Sequence, residues 1–473
     1  MKGIHRYPRF TLSVFIIVAG ISLLTRCINR EDKDGSRAAD KNSRQTSGED
    51  FGQFAGSASC AGCHKKIAEA HLHTAHYLTS REAFGKYIKG SLDTGANSFS
   101  FNDSVKVIME QHDGAYYQVE YVRGQQKRKG RFDIVVGSGT KGQTFLSWAD
   151  NRLLQLPITY FTPAGQWSNS PGYPDKPVFN RPITARCLEC HSTYFLKTSP
   201  PDAEPEEFDR RQIVYGVDCE KCHGPAAQHV AYQQQNPGAT TAKYIIDPAH
   251  FSRQQSLDLC ALCHGGRVTR LRPSFGFTAG DKLSDYFRFD TIGRNLADID
   301  VHGNQLGLLA GSKCFQMSQM TCITCHNTHE NEKGKLATFS QRCMVCHGGA
   351  HNDGPAGARS SGNAAAADDT RGPGHGNAVA ARPCKMTATI GPAIAQNCIG
   401  CHMPKQPSRA IAVLLQGVFT PTVAQLRTHL IKIYPDEPKV HPTAEKTVLT
   451  DETKAFLDQM KNVPKTPPIN KNK

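Results

Sequence analysis

Two textures of hydrophobic and polar positions divide this chain. Between residues 84 and 182 apolar and polar positions alternate, as in Tyr116-Tyr117-Gln118-Val119-Glu120-Tyr121-Val122 and Phe132-Asp133-Ile134-Val135-Val136. A period of two marks half-buried strands, and Gly137, Gly139 and Gly142 punctuate it as turns do. Thr159-Tyr160-Phe161 ends another strand-like run after Pro157, and Trp148 and Trp167, the two tryptophans of the chain, fall here as packing residues. This stretch is expected to be a small β-rich insertion.

Elsewhere the alternation is not sustained. Residues 65–76 read as a helix, with Ile67, Ala70 and His71 near one face. Residues 10–24 form a fifteen-residue apolar run behind Lys2, Arg6 and Arg9. That is an export signal, short for a spanning helix. Leu24-Thr25-Arg26-Cys27 resembles a bacterial lipobox, although Arg26 replaces the usual small residue. Three readings stay open for residues 1–27: a lipoprotein signal with Cys27 acylated, an uncleaved membrane anchor, or a signal lost from a soluble product. Residues 28–55 are polar and aperiodic, as a flexible tether is. Residues 352–383, rich in Gly, Ala and Asp, read as a flexible loop. Residues 410–418 form one apolar run, His429 lies in a strand-like segment, and residues 436–473 are a charged tail.

Cysteine spacing changes this picture most. Cys-x-x-Cys-His occurs seven times, at Cys60–Cys63–His64, Cys187–Cys190–His191, Cys219–Cys222–His223, Cys260–Cys263–His264, Cys322–Cys325–His326, Cys343–Cys346–His347 and Cys398–Cys401–His402. One such motif is compatible with zinc or a disulfide. Seven, each with His directly after the second Cys, specify attachment of c-type haem, two thiols bonding the vinyl groups and the imidazole binding iron. Fourteen of 17 cysteines are thereby used, leaving Cys27, Cys314 and Cys384. Cys314 is expected to be a buried thiol or to pair with Cys384. Covalent haem attachment places the chain outside the cytoplasm, in the periplasm or at the cell surface.

The expected cofactor is seven haem c with their iron. Only 38% of residues are hydrophobic, thin for 473 residues, so the porphyrins are expected to serve as core. The expected fold is mainly α and irregular: short helices and loops around a stack of covalent haems, with the β-rich insertion between haems one and two. Its parts are a first haem segment at 56–83, the insertion at 84–182 and a multihaem domain at 183–435.

Net charge is +14, from 56 Lys and Arg against 42 Asp and Glu. Seven haems bring fourteen propionates, which offset that excess, and no basic run interleaved with aromatics suggests nucleic acid. Arg181 and Arg186, before the second motif, are candidate propionate partners or solvated cations.

Of 20 histidines, seven follow the motifs and thirteen remain. The candidates for second iron ligands are His73, His76, His229, His302, His329, His351 and His429, one per haem. Gly224-Pro225 lets His229 turn towards an iron, and Gly303 does the same beside His302. His329 cannot easily reach the far face of the haem held by His326, but can ligate a neighbouring one. Iron held by two imidazoles has no open position and suits electron transfer over catalysis.

The Cys60 motif followed by His76, the Cys219–His223-Gly224-Pro225 segment with His229, and the Cys322–His326 motif with His329 resemble multihaem cytochromes c related to the tetrahaem electron carrier of ammonia oxidation. That group includes octahaem hydroxylamine oxidoreductase and pentahaem nitrite reductase. The resemblance spans about residues 56–435 and implies parallel and perpendicular haem pairs forming a relay. It carries over no catalytic residue: every motif here ends in His, where the pentahaem reductases use one ending in Lys, and no residue matches the tyrosine crosslink of the oxidoreductases.

The function expected is electron conduction between extracytoplasmic redox partner proteins. One alternative is a reductase or oxidase of a small nitrogen or sulfur species at one five-coordinate haem. Another is a structural subunit that docks a partner through the insertion.

Overall fold

The computed structural model describes residues 51–289, 295–347, 384–418 and 420–434. The export segment, Cys27, His351, the 352–383 loop and the tail lie outside the described residues. Among the described residues, no helix is long and apolar enough to cross a membrane.

Alternation builds the first sheet. Strands β2 (Ser98–Asn102), β3 (Val105–His112), β4 (Ala115–Val122) and β5 (Gln125–Arg131) form an antiparallel meander in sequence order. Two of its turns are two-residue turns with positive φ at both positions, Asp113-Gly114 at 51° and 74° and Arg123-Gly124 at 50° and 77°. That geometry matches the right-handed twist of the flanking strands.

A seven-stranded sheet packs against the meander. Its main path runs β1 (Ser80–Glu82), β6 (Ile134–Val136), β7 (Gly142–Ala149), β8 (Arg152–Gln155) and β11 (Arg181–Pro182). Strands β9 (Ile158–Phe161) and β10 (Gln166–Asn169) join through β7. Phe99, Val107 and Met109 of the meander meet Phe132, Phe145, Leu156 and Trp167 in one buried cluster. The Phe132 and Phe145 rings stack at 4.1 Å, a contact of about 0.5–1.5 kcal/mol beyond burial. Gln118 pins the two sheets from within: its amide donates to Ile158 O at 2.7 Å and accepts from Ile158 N at 2.8 Å. Trp167 spends its indole N–H on Ser91 O at 2.8 Å.

Three further hairpins lie between and after the haem motifs, namely β12 (Ser192–Lys197) with β13 (Phe208–Tyr215), β14 (Val268–Arg270) with β15 (Phe287–Phe289), and β16 (Lys405–Val413) with β17 (Thr422–Arg427). The expectation of a mainly helical fold is therefore overturned. The described residues hold seventeen strands in five sheets, beside short helices. The physical reason lies in the connections, which are rich in β-branched and aromatic residues such as Tyr194, Phe195, Ile213, Val214 and Tyr215. Such residues pair as strands and bury protein surface. Porphyrin is thus not the core everywhere.

Two other expectations shift. The 65–76 segment forms a helix only over Lys65–His71, closed by Leu72. The strand before His429 stops at Arg427, so His429 sits beyond its end.

The sheets also aim the haem motifs. Ile134, Leu146 and Leu153 of the seven-stranded sheet share a cluster with Ala185 and Leu188, on the helix of the second motif, and with Phe195 and Phe208 of the β12–β13 hairpin. Ala261 and Leu262, inside the fourth motif, bury against Leu283 and Phe287.

Candidate haem sites

Six of the seven motifs lie at the ends of short helices: Ser57–Cys63, Ala185–His191, Cys219–His223, Arg253–His264, Leu336–His347 and Cys398–His402. On a helix, positions i, i+3 and i+4 share one face, so both thiols and the imidazole of a motif reach the same flat group. The fifth motif starts instead in a 3-10 turn, Cys322–Thr324.

Buried charged side chains tie the motifs to each other. Glu220, between the cysteines of the third motif and only 4% exposed, accepts from Ala55 N at 2.8 Å, Gly56 N at 2.9 Å and Ala226 N at 2.9 Å. It therefore clamps the start of the first motif's helix and the start of the helix bearing His229. Glu189, which directly precedes the second cysteine of the second motif, is fully buried. It accepts from Phe275 N at 2.6 Å and from Arg186 Nη1 at 2.7 Å. Arg186 Nη2 then donates to Leu262 O in the fourth motif at 2.7 Å. Arg253 donates to Met320 O and Phe315 O, just ahead of the fifth motif, both at 3.1 Å. Arg342 donates to Cys325 O at 2.6 Å, linking motifs five and six. Cys398 N donates to Ser340 Oγ at 3.0 Å, linking motifs six and seven.

Thiols from different motifs also meet. Cys60 is hydrogen-bonded to Cys219, Cys190 to Cys263 and Cys260 to Cys322. The bond from Cys263 holds the Cys190 thiol down at about 7, and burial pushes Cys222 up to about 11.

The histidines gather in pairs. Ring centroids lie 6.2 Å apart for His223 and His329, 6.2 Å for His326 and His429, and 6.3 Å for His76 and His264. His302 acts electrostatically on His191. Two imidazoles sharing one metal through nitrogen put their centroids about 6 Å apart, from a metal–nitrogen bond of about 2.0 Å and about 1.1 Å from nitrogen to centroid. The donor set therefore fits iron of a haem in each pair.

Hydrogen bonds orient several of these rings. His223 Nδ1 donates to Ile246 O at 2.9 Å, His264 Nδ1 to Gln305 Oε1 at 2.9 Å and His402 Nδ1 to Lys432 O at 2.9 Å. His229 Nδ1 does the same to Lys243 O at 2.9 Å. Each leaves Nε2 for a metal, the arrangement that fixes ring orientation in metal sites. The buried Nδ1 of His429 has no hydrogen-bond partner among the described residues.

Burial lowers the pKa of His76, His191 and His429 to about 4. It also lowers those of His264, His302, His326 and His329. These rings stay neutral, the form that binds metals. His191 and His302 are closely surrounded yet keep exposed surface, as side chains lining a cleft do.

His71 is placed differently. It comes within 6.4 Å of His329, but its Nε2 is engaged with Val217 O at 3.1 Å. His73, His64 and His347 are exposed, and His351 lies outside the described residues. Arg186 is not free for a propionate, since Glu189 and Leu262 O hold it and the Phe287 ring lies 4.7 Å beneath. Arg181 packs over the Tyr173 ring at 5.1 Å. Cys314 and Cys384 are both free thiols, which removes the disulfide alternative.

Sequence reasoning missed Glu189 and Glu220. A signal existed: an acid between the cysteines of a haem motif has no role in attachment, so it calls for a structural partner.

The family described as Cytochrome c554 and c-prime matches residues 175–224, a stretch that contains the second and third motifs. No curated protein matches the chain. Among solved structures, the one entitled Crystal Structure of Outer Cell Wall Cytochrome OcwA is similar at 15% identity, covering 80% of each chain with a TM-score of 0.41. The family match and the motifs it spans support a multihaem c-type cytochrome.

Proposed function

We propose that this chain is a heptahaem c-type cytochrome that passes electrons between redox partner proteins outside the cytoplasm. The observation that carries this reading is the pairing of histidines at the spacing one shared metal requires. When bound, haem c supplies one-electron iron chemistry; the chain's part is to hold, orient and shield it.

In this assignment His64, His191, His223, His264, His326, His347 and His402 are the first ligands. His302 serves the second site, His329 the third, His76 the fourth and His429 the fifth. His73, His229 and His351 are the candidates for the first, sixth and seventh. Iron held by two such imidazoles would have no open position for substrate. Residues 1–27 would anchor the chain, through the apolar run itself or through an acylated Cys27.

The test is an EPR spectrum of the oxidised holoprotein together with pyridine haemochrome quantification. Seven haems per chain and only low-spin iron are expected. One high-spin iron in seven would favour instead a reductase or oxidase of a small nitrogen or sulfur species.

A further inference from the structure

Arg81 is a buried cation without a carboxylate. It is 9% exposed, on strand β1, five residues after His76. Its guanidinium has five N–H donors to place. One reaches Tyr77 O at a long 3.5 Å, and the hydroxyl of Tyr87 takes another. The Tyr87 ring lies 4.7 Å beneath the guanidinium. No Asp or Glu pairs with Arg81 among the described residues, and burial lowers its pKa. A buried guanidinium left this way is costly, and an anion in the same place removes most of that cost.

There is room for one. A cavity of about 410 Å³ is lined by Arg81, Tyr77, Tyr87, Tyr215, Ser57 and Asp218, among others. Ser57 begins the helix of the first haem motif, and Asp218 caps the helix of the third through Cys219 N at 2.8 Å. Cys60 and Cys219 touch between these helices. Asp218 therefore faces the cavity with one carboxylate oxygen already engaged. The Tyr77, Tyr87 and Tyr215 side chains line the same cavity, and each carries a hydroxyl donor.

Backbone geometry shapes this wall. Gly216 has φ of +68°, and a Cβ there would stand 2.3 Å from Tyr77 O. Only glycine allows the end of β13 to lie directly on the Tyr77 backbone.

We propose that Arg81, with Tyr77 and Tyr87, forms an oxyanion site between the first and third haem motifs. Its ligand class is a carboxylate or a similarly small oxyanion. Two sources share that chemistry: a haem propionate of this chain, or a free oxyanion from solution. The first source rests on the haem-carrying role proposed above; the cation and its cavity do not.

The experiment uses the haem-loaded protein, with haem content and spin state recorded first, so that failure of the cytochrome reading is seen separately. Spectroelectrochemical titration then compares wild type with Arg81→Gln and with Tyr87→Phe, which keeps its ring packing. Calorimetric titration of the wild type with formate and with nitrite runs alongside. A propionate occupant predicts that R81Q lowers the midpoint potential of one haem, Y87F lowers it less, and neither anion binds. A free oxyanion predicts saturable binding of formate or nitrite that R81Q, or Y87F if R81Q does not fold, weakens at least tenfold. Unchanged potentials in every folded variant, with no anion binding to the wild type, overturn the proposal.

Discussion

The imidazoles of His223 and His329 lie 6.2 Å apart with planes 20° from parallel, although one belongs to the third motif and the other follows the fifth. In the proposed assignment, then, a motif does not take its second ligand from the residues next to it. Replacing His329 by Ala is expected to open the iron of the third site and leave that of the fifth low-spin. His429→Ala should do the reverse, because His429 stands 6.2 Å from His326. Magnetic circular dichroism of the two variants checks this: each should gain one high-spin haem, and an unchanged spectrum in either would refute that pairing.

His71 and His76 lie close in sequence but are placed differently. His76 stands 6.3 Å from His264, whereas His71 Nε2 is committed to Val217 O at 3.1 Å. His76→Ala is expected to give one high-spin iron. His71→Ala should leave all irons low-spin and lower stability by about 1 kcal/mol, the worth of one hydrogen bond to the half-buried Val217 residue. A high-spin signal in the His71 variant would make it a ligand after all.

Glu220 gathers three backbone N–H groups from two segments. Hydrogen bonds to a buried carboxylate are worth about 1.5–3 kcal/mol each, and losing the acceptor strands the donors. Glu220→Ala should lose about 3 kcal/mol or more, read as a fall in thermal midpoint of the holoprotein. A midpoint unchanged within error would show that the clamp is dispensable.

Gly216 meets two obstacles to substitution, a left-handed φ of +68° and a backbone oxygen 2.3 Å from any Cβ. Gly216→Ala is expected to cost about 2 kcal/mol or more. Urea unfolding of the two proteins side by side measures it, and a midpoint equal to wild type would contradict the packing described.

Asp133 carries a pKa raised above 3.8, chiefly by burial, against the opposing bond from Trp148 N and the charge of Arg131. A carboxyl raised on folding costs stability once it is ionised, above its folded pKa, and that cost vanishes below its unfolded pKa. Asp133→Asn should therefore stabilise the protein at neutral pH by less than about 1 kcal/mol, given its partial exposure. The advantage should shrink as pH falls through the raised pKa towards 3.8. A stability difference that grows on acidification would reverse the sign argued here.

The sequence by itself determined the chemistry of attachment. Cys-x-x-Cys-His is a local pattern, and its spacing suits one face of a helix, as six of the seven copies show. Alternation likewise marked strands such as Ala115–Val122 and Ile134–Val136, because a period of two is a property of neighbouring residues. Tertiary structure alone decided which histidines meet. His76 and His264, or His326 and His429, come together through docking of distant segments. The hairpins between motifs were also not legible as such, since short runs like Ser192–Lys197 become strands by pairing with Phe208–Tyr215. Burial of Glu189, Glu220 and Arg81 follows the same logic. Whether a charge is solvated or clamped depends on what the fold lays over it, and residue spacing carries no record of that.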